Sequence, residues 1–244
     1  MSVTTVIAFV IATAVPLGVL YAIRALDLYG MGAFRTVVLC FGWGGAAFAL
    51  AYVINSATLR YDLVSYDNFR RFSAPVIEEI LKAIILVYLV RRPNFTYFVD
   101  GAIYGFASGI GFAILENYSY LSGSVGAALG VAVGRVISTN LIHATASALV
   151  GITLGLARFQ RSSGRALLLL GGLALGMALH VGFNNLVTRV TSGLLILYAA
   201  TVGFGGTGLI VTAIKRGLKE EKTWIEEKLG AADRVTASEA AVVH

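Results

Sequence analysis

Seven runs of apolar residues govern what this chain can fold into. They cover about 3–23, 36–54, 74–90, 98–116, 130–157, 166–187 and 193–214, and a helix needs about 20 such residues to cross a bilayer. In hydrocarbon the backbone must satisfy its own hydrogen bonds, and runs of this length do so as helices. The expected fold is all-α: a polytopic membrane helix bundle of about seven transmembrane helices. The third run is short, and the fifth is long enough to tilt or to open with a turn that does not span. Composition agrees. The 244 residues are 57% hydrophobic and 13% charged, with a mean hydropathy of +0.81, whereas soluble domains carry about 25% charged residues. One domain is expected: 1–214 as the bundle and 215–244 as a cytoplasmic tail. The tail should be amphipathic over 215–230, with Leu218, Ile225 and Leu229 on one face, and disordered beyond. The first run has no basic residue before it and reads as a retained helix, not a cleaved signal.

Charge sets the orientation. With the N-terminus outside, the inner loops hold Arg24 and Arg35, Arg91 and Arg92, and Arg158, Arg161 and Arg165; the tail adds Lys215, Arg216, Lys219, Lys222, Lys228 and Arg234. The outer loops hold Arg60, Arg70, Arg71 and Arg189. The imbalance favours N-terminus out and C-terminus cytoplasmic. The net charge of +6 therefore reflects topology and does not point to nucleic acid. The lone Cys40 has no cysteine to pair with and no companions for a thiolate metal site.

Two adjacent carboxylates interrupt the third run, Ala74-Pro75-Val76-Ile77-Glu78-Glu79-Ile80-Leu81-Lys82. A carboxylate at the centre of a membrane helix costs roughly 2.5–3.5 kcal/mol on insertion scales, so such residues mark function by default. Candidate partners lie on other runs: Glu116 and Asn117, His143, and His180 with Asn184. With helices rising about 1.5 Å per residue, all four runs deliver these groups to one layer in the outer half of the bilayer. Glu78 and Lys82 are i,i+4 and Glu79 and Lys82 are i,i+3, so Lys82 can neutralise either glutamate. His180 and Asn184 are again i,i+4. Gly101, Gly105, Gly109 and Gly111 form a small-residue face on the fourth run that suits close packing.

A partly desolvated carboxylate is a better general base near neutrality, and imidazole and carboxamide groups stabilise the oxyanion of a tetrahedral intermediate. The same groups also suit a zinc ion with an open position for water. Both chemistries hydrolyse amides. No His-Glu-x-x-His, no Gly-x-Ser-x-Gly and no placed cysteine nucleophile occurs.

Glu78-Glu79-x-x-Lys82, Phe112-x-x-x-Glu116-Asn117, His143 with Gly151, and His180-x-x-x-Asn184 together resemble the PrsW-type intramembrane proteases. These belong to the superfamily of CAAX prenyl proteases, Abi proteins and Aph-1. The resemblance covers residues 75–184. It implies an integral protein of a prokaryotic cell membrane that cleaves membrane-anchored substrates with a transmembrane segment, anti-sigma-factor-like, near the extracytoplasmic side. Carried over, it implies Glu78 as the water-activating base, Glu79 as alternative or supporting acid, and His180 and Asn184 as the oxyanion hole. Glu116 and His143 would complete the water or metal site, with Glu116, His143 and His180 the ligands if zinc is bound; Lys82 and Asn117 would support. The resemblance leaves the type open, glutamic or metal-dependent, with zinc and no metal as the two alternatives. Two other classes compete: a proton-coupled transporter, which also uses intramembrane Glu, Lys and His but usually shows repeats, not evident here; and a non-catalytic scaffold of the same fold. The stretch 55–73, with Tyr61, Tyr66, Phe69 and Phe72, is expected to admit substrate.

Overall fold

The computed structural model describes residues 3–25, 33–92, 95, 98–123, 129–158 and 162–189, with scattered positions between 197 and 223. Its helices are α1 (Val3–Ala25), α2 (Ala33–Arg60), a short α3 (Tyr66–Asn68) that runs through a π-helical turn (Phe69–Ser73) into α4 (Ala74–Leu89), then α5 (Phe98–Gly123), α6 (Leu129–Arg158) and α7 (Ser162–Arg189). No strand occurs among the described residues. Five helices, α1, α2, α5, α6 and α7, are long and apolar enough to cross a membrane. The chain is an integral membrane protein. The third expected span is α4, whose 16 residues rise about 24 Å, short of the roughly 30 Å hydrocarbon core. The seventh, 193–214, and the tail 215–244 lie largely outside the described residues. Described positions there include Gly206, set against Thr145 of α6, and Gly217, set against Phe98 and Val99 of α5.

Two helices run further than hydropathy suggests. α2 continues to Arg60, because 55–60 contains no breaker; the chain turns only at Asp62, whose φ of 48° is a left-handed conformation that aspartate tolerates. α5 continues to Gly123, so Glu116 lies within a helix and not at its end. Both extensions bring polar residues to the site.

α5 and α6 form the interior. Their spanning windows are 83% and 78% buried, against 28%, 28% and 22% for α1, α2 and α7. The cause is the glycine face. A Cβ on Gly101, Gly105 or Gly109 would run into the α6 backbone at Gly151, Ser147 and His143 respectively. Backbones in such contact gain packing that lipid cannot supply. On the other side of α5, Gly111 meets the α2 backbone at Phe41, and Gly44 of α2 meets Ser108. α1 is pinned through Tyr118, which stacks on Phe9 at 5.0 Å and hydrogen-bonds Thr13. α2 is pinned to α4 by the Trp43 indole, which donates to the Leu81 carbonyl at 3.0 Å. The outer faces of α1, α2 and α7 expose Val10, Tyr21, Val53, Leu167 and Leu170, as lipid-facing surfaces do.

Candidate active site

The glycine contacts fix His143 against α5, two turns from Glu116. Side chains lean toward the N-terminus of their own helix, and α5 and α6 run in opposite directions, so Glu116 and His143 lean toward each other. His143 Nε2 lies 3.0 Å from Glu116 Oε2. On the other edge of the ring, Nδ1 lies 2.9 Å from Lys82 Nζ. An ammonium only donates, so Nδ1 accepts and the ring proton sits on Nε2, facing Glu116. Phe112 closes over this pair, with its ring 4.9 Å from that of His143 and 5.0 Å from Lys82 Nζ.

Lys82 chooses Glu79. Its Nζ lies 2.6 Å from Glu79 Oε1, and both side chains are fully buried. The same Glu79 oxygen accepts from His180 Nδ1 at 2.9 Å, while Oε2 has no hydrogen-bond partner among the described residues. Glu79 thus ties α4 to α7, and through Lys82 to α6. In the neutral ring, His180 then presents its Nε2 lone pair toward Glu78 Oε2, 3.8 Å away. The rings of His143 and His180 meet edge to face at 4.5 Å.

Glu78 faces the other way. It lies on the wall of a cavity of about 340 Å³ shared with Asn55, Glu116, Thr139, His180 and Asn184. Its one side-chain donor among the described residues is Asn55 Nδ2, at 3.4 Å from Oε1. Two acceptors facing each other beside a cavity call for a proton donor or a cation between them. The cavity supplies the room.

The structure therefore brings Glu78, Glu79, Lys82, Glu116, His143 and His180 into one connected group. Asn184 and Asn117 sit differently. Asn184 lines the cavity, but its amide donates to the Arg70 carbonyl at 3.0 Å, holding the π-helical turn onto α7. Asn117 donates to Asn140 Oδ1 at 2.9 Å and so clamps α5 to α6. Asn55 is the site residue that the sequence reading passed over. A run ended by hydropathy at residue 54 leaves it in a loop; helix propensity through 60 is the signal that would have found it. Of the access stretch 55–73, Phe69 and Arg70 line the cavity, whereas Tyr61, Tyr66 and Phe72 are exposed.

The ligand set for a metal also differs from expectation. Glu78, His143 and His180 each offer a ligand atom, all within 4.8 Å of one another. Glu116 lies outside that group of three and hydrogen-bonds the His143 ring, as carboxylates outside a metal's ligand sphere do. Glu79 holds the same position behind His180. A carboxylate with two imidazoles is a known zinc set, so the donors fit, with Lys82 competing for the lone pair of His143.

The family model described as PrsW family intramembrane metalloprotease matches residues 32–213. The chain belongs to the PrsW family. Curated PrsW relatives agree. The chain is 31% identical over 121 residues to "Protease PrsW" of Bacillus subtilis (strain 168), covering 49% of this chain and 54% of that protein. It is 28% identical over 124 residues to "Protease PrsW" of Shouchella clausii (strain KSM-K16), covering 50% and 55%. The chain thus spans about half the length of the curated relatives it matches. No solved structure matches.

Proposed function

We propose that this PrsW-family chain is an intramembrane endopeptidase. It hydrolyses peptide bonds of membrane-anchored proteins near the extracytoplasmic face of a prokaryotic cell membrane, with its N-terminus out and C-terminus in. Anti-sigma-factor-like, single-span proteins are the substrate class. The observation that carries this reading is the placement of Glu78: one carboxylate on the wall of a 340 Å³ cavity, 3.8 Å from an imidazole nitrogen, beside a second carboxylate already committed to Lys82 and His180.

The roles follow from the partners. Glu78 takes a proton from water as the resulting hydroxyl adds to the scissile carbonyl carbon. The oxyanion forms within the cavity, and the proton passes on to the leaving nitrogen as the C–N bond breaks. His180 orients the water from the side opposite Asn55. Glu79 positions His180 and is not the base. His143, held by Lys82 and Glu116, lies behind the cavity wall and fixes the Glu116 carboxylate that lines it. Asn184 Nδ2 gives one proton to the Arg70 carbonyl and keeps a second for an oxyanion. Substrate passes the rim at Phe69 and Arg70. A metal bound by Glu78, His143 and His180 would act as a Lewis acid on water or carbonyl; the residues of the chain keep the positioning roles just given.

The test is to map new protein N-termini in membranes of cells that make equal amounts of wild-type protein or Glu78→Gln. Termini at the outer edge of single-span proteins, present with wild type alone, are expected. Identical patterns from two folded proteins would sink the reading.

A further inference from the structure

Far from the glutamates lies a second cavity, of about 390 Å³, where the ends of α4 and α6 meet the start of α7. Arg91, Arg158 and Arg165 line it above Leu154, Ala157 and Leu169. Arg91 follows Glu78 by 13 positions, and Arg158 and Arg165 are each 15 positions from His143 and His180. At about 1.5 Å per residue, all three helices place this cluster about 20 Å from the carboxylates, at the opposite edge of the hydrocarbon layer.

The arginines are held but not neutralised. Arg158 Nη1 donates to the carbonyls of Val90 and Arg92, at 3.3 and 2.9 Å, and to that of Phe95. Arg165 caps the end of α6, donating from Nε to Ala157 O at 3.2 Å and from Nη2 to Arg158 O at 3.1 Å. These bonds fix the guanidinium planes and leave donors over. No carboxylate among the described residues pairs with any of the three. Arg91 is exposed. The floor beneath is apolar, with Leu154 and Ala157 buried and Val87 open to the bilayer side.

From this combination we infer that the cleft between α4, α6 and α7 binds the phosphate headgroup of an acidic phospholipid, its acyl chain lying over Val87 and Leu169. Preorganised guanidinium forks match phosphate oxygens. A three-arginine cleft over an apolar floor at interfacial depth matches a lipid and not a soluble anion, since basic pockets between membrane helices on the cytoplasmic side hold anionic headgroups. The site is separate from the proposed catalytic cavity, and its place on the cytoplasmic side rests on the orientation proposed above.

The experiment is native mass spectrometry of the full chain released from nanodiscs of phosphatidylglycerol and phosphatidylcholine in equal amounts. Wild type should retain phosphatidylglycerol in preference. Arg91→Gln, which removes no hydrogen bond to the bundle, should lower that retention about fivefold, and Arg91→Gln with Arg165→Gln should lower it further. Equal retention of the two lipids by wild type would overturn the inference. So would a double variant that is folded and unchanged. Displacement of the lipid by millimolar inorganic phosphate would reassign the cleft to a soluble anion.

Discussion

The two ends of this bundle handle charge in opposite ways. At one end two buried carboxylates, a half-buried third, an ammonium and two imidazoles gather in one group, most of them joined by hydrogen bonds inside the protein. At the other, Arg158 and Arg165 are bonded to backbone carbonyls, Arg91 is exposed, and none of the three is paired with a carboxylate among the described residues. The difference follows from depth. A buried ion without a partner costs several kcal/mol, so the deep cluster must be closed on itself. An interfacial ion can use water or headgroups and needs only to be aimed. The deep end should therefore respond to single changes strongly and non-additively, the shallow end weakly and additively.

The largest expected effect is on rate. Glu78→Gln should lower proteolysis by at least about 100-fold, while thermal unfolding in detergent stays near wild type, because the Glu78 bond to Asn55 is long at 3.4 Å. A large loss of melting temperature would instead place Glu78 among the structural pairs. Next comes the buried bridge. Lys82→Met should destabilise by about 3–5 kcal/mol, since it strands Glu79 without its cation. Lys82→Met combined with Glu79→Gln should recover much of that loss, and a double-mutant cycle by thermal unfolding measures the coupling. Purely additive losses would break the contrast between the ends.

Gly105→Val tests the scaffold that holds the deep end together. Its side chain would meet the Ser147 carbonyl, and a loss of about 1–3 kcal/mol is expected, read as a lower melting temperature together with lower activity. Asn55→Ala should slow proteolysis less than about tenfold, with KM unchanged. The smallest effect belongs to the other end: Arg91→Gln should change bundle stability by less than about 0.5 kcal/mol. A larger change would show that the arginine end is also closed on itself.

The comparison also explains what could be read in the sequence. Apolar runs and glycine spacing located α1, α2, α5, α6 and α7, and depth counting along four helices brought Glu78, Glu116, His143 and His180 to a common layer. Lys82 lies within reach of both glutamates by spacing alone, so its choice of Glu79 depends on where α6 and α7 stand. The partner of Asn184 is a backbone carbonyl in a π-helical turn, and no side-chain pattern announces it. The family resemblance named Glu116 with the two histidines as candidate metal ligands, whereas Glu78 is the carboxylate whose oxygen lies within 4.8 Å of a nitrogen on each ring, because helix rotation decides which carboxylate meets both rings.

Lys82 and Glu79 are one helical turn apart on the same helix, and that has a consequence for biogenesis. α4 emerges from the ribosome before α6 and α7 exist. At that stage neither histidine is present, and α4 carries two acids and a base with no partner on a later helix. Each charge at mid-membrane costs roughly 2.5–3.5 kcal/mol on insertion scales. An ion pair contained within one turn gives α4 its own counterion from the start, leaving Glu78 as the single charge that waits for the rest of the chain to arrive.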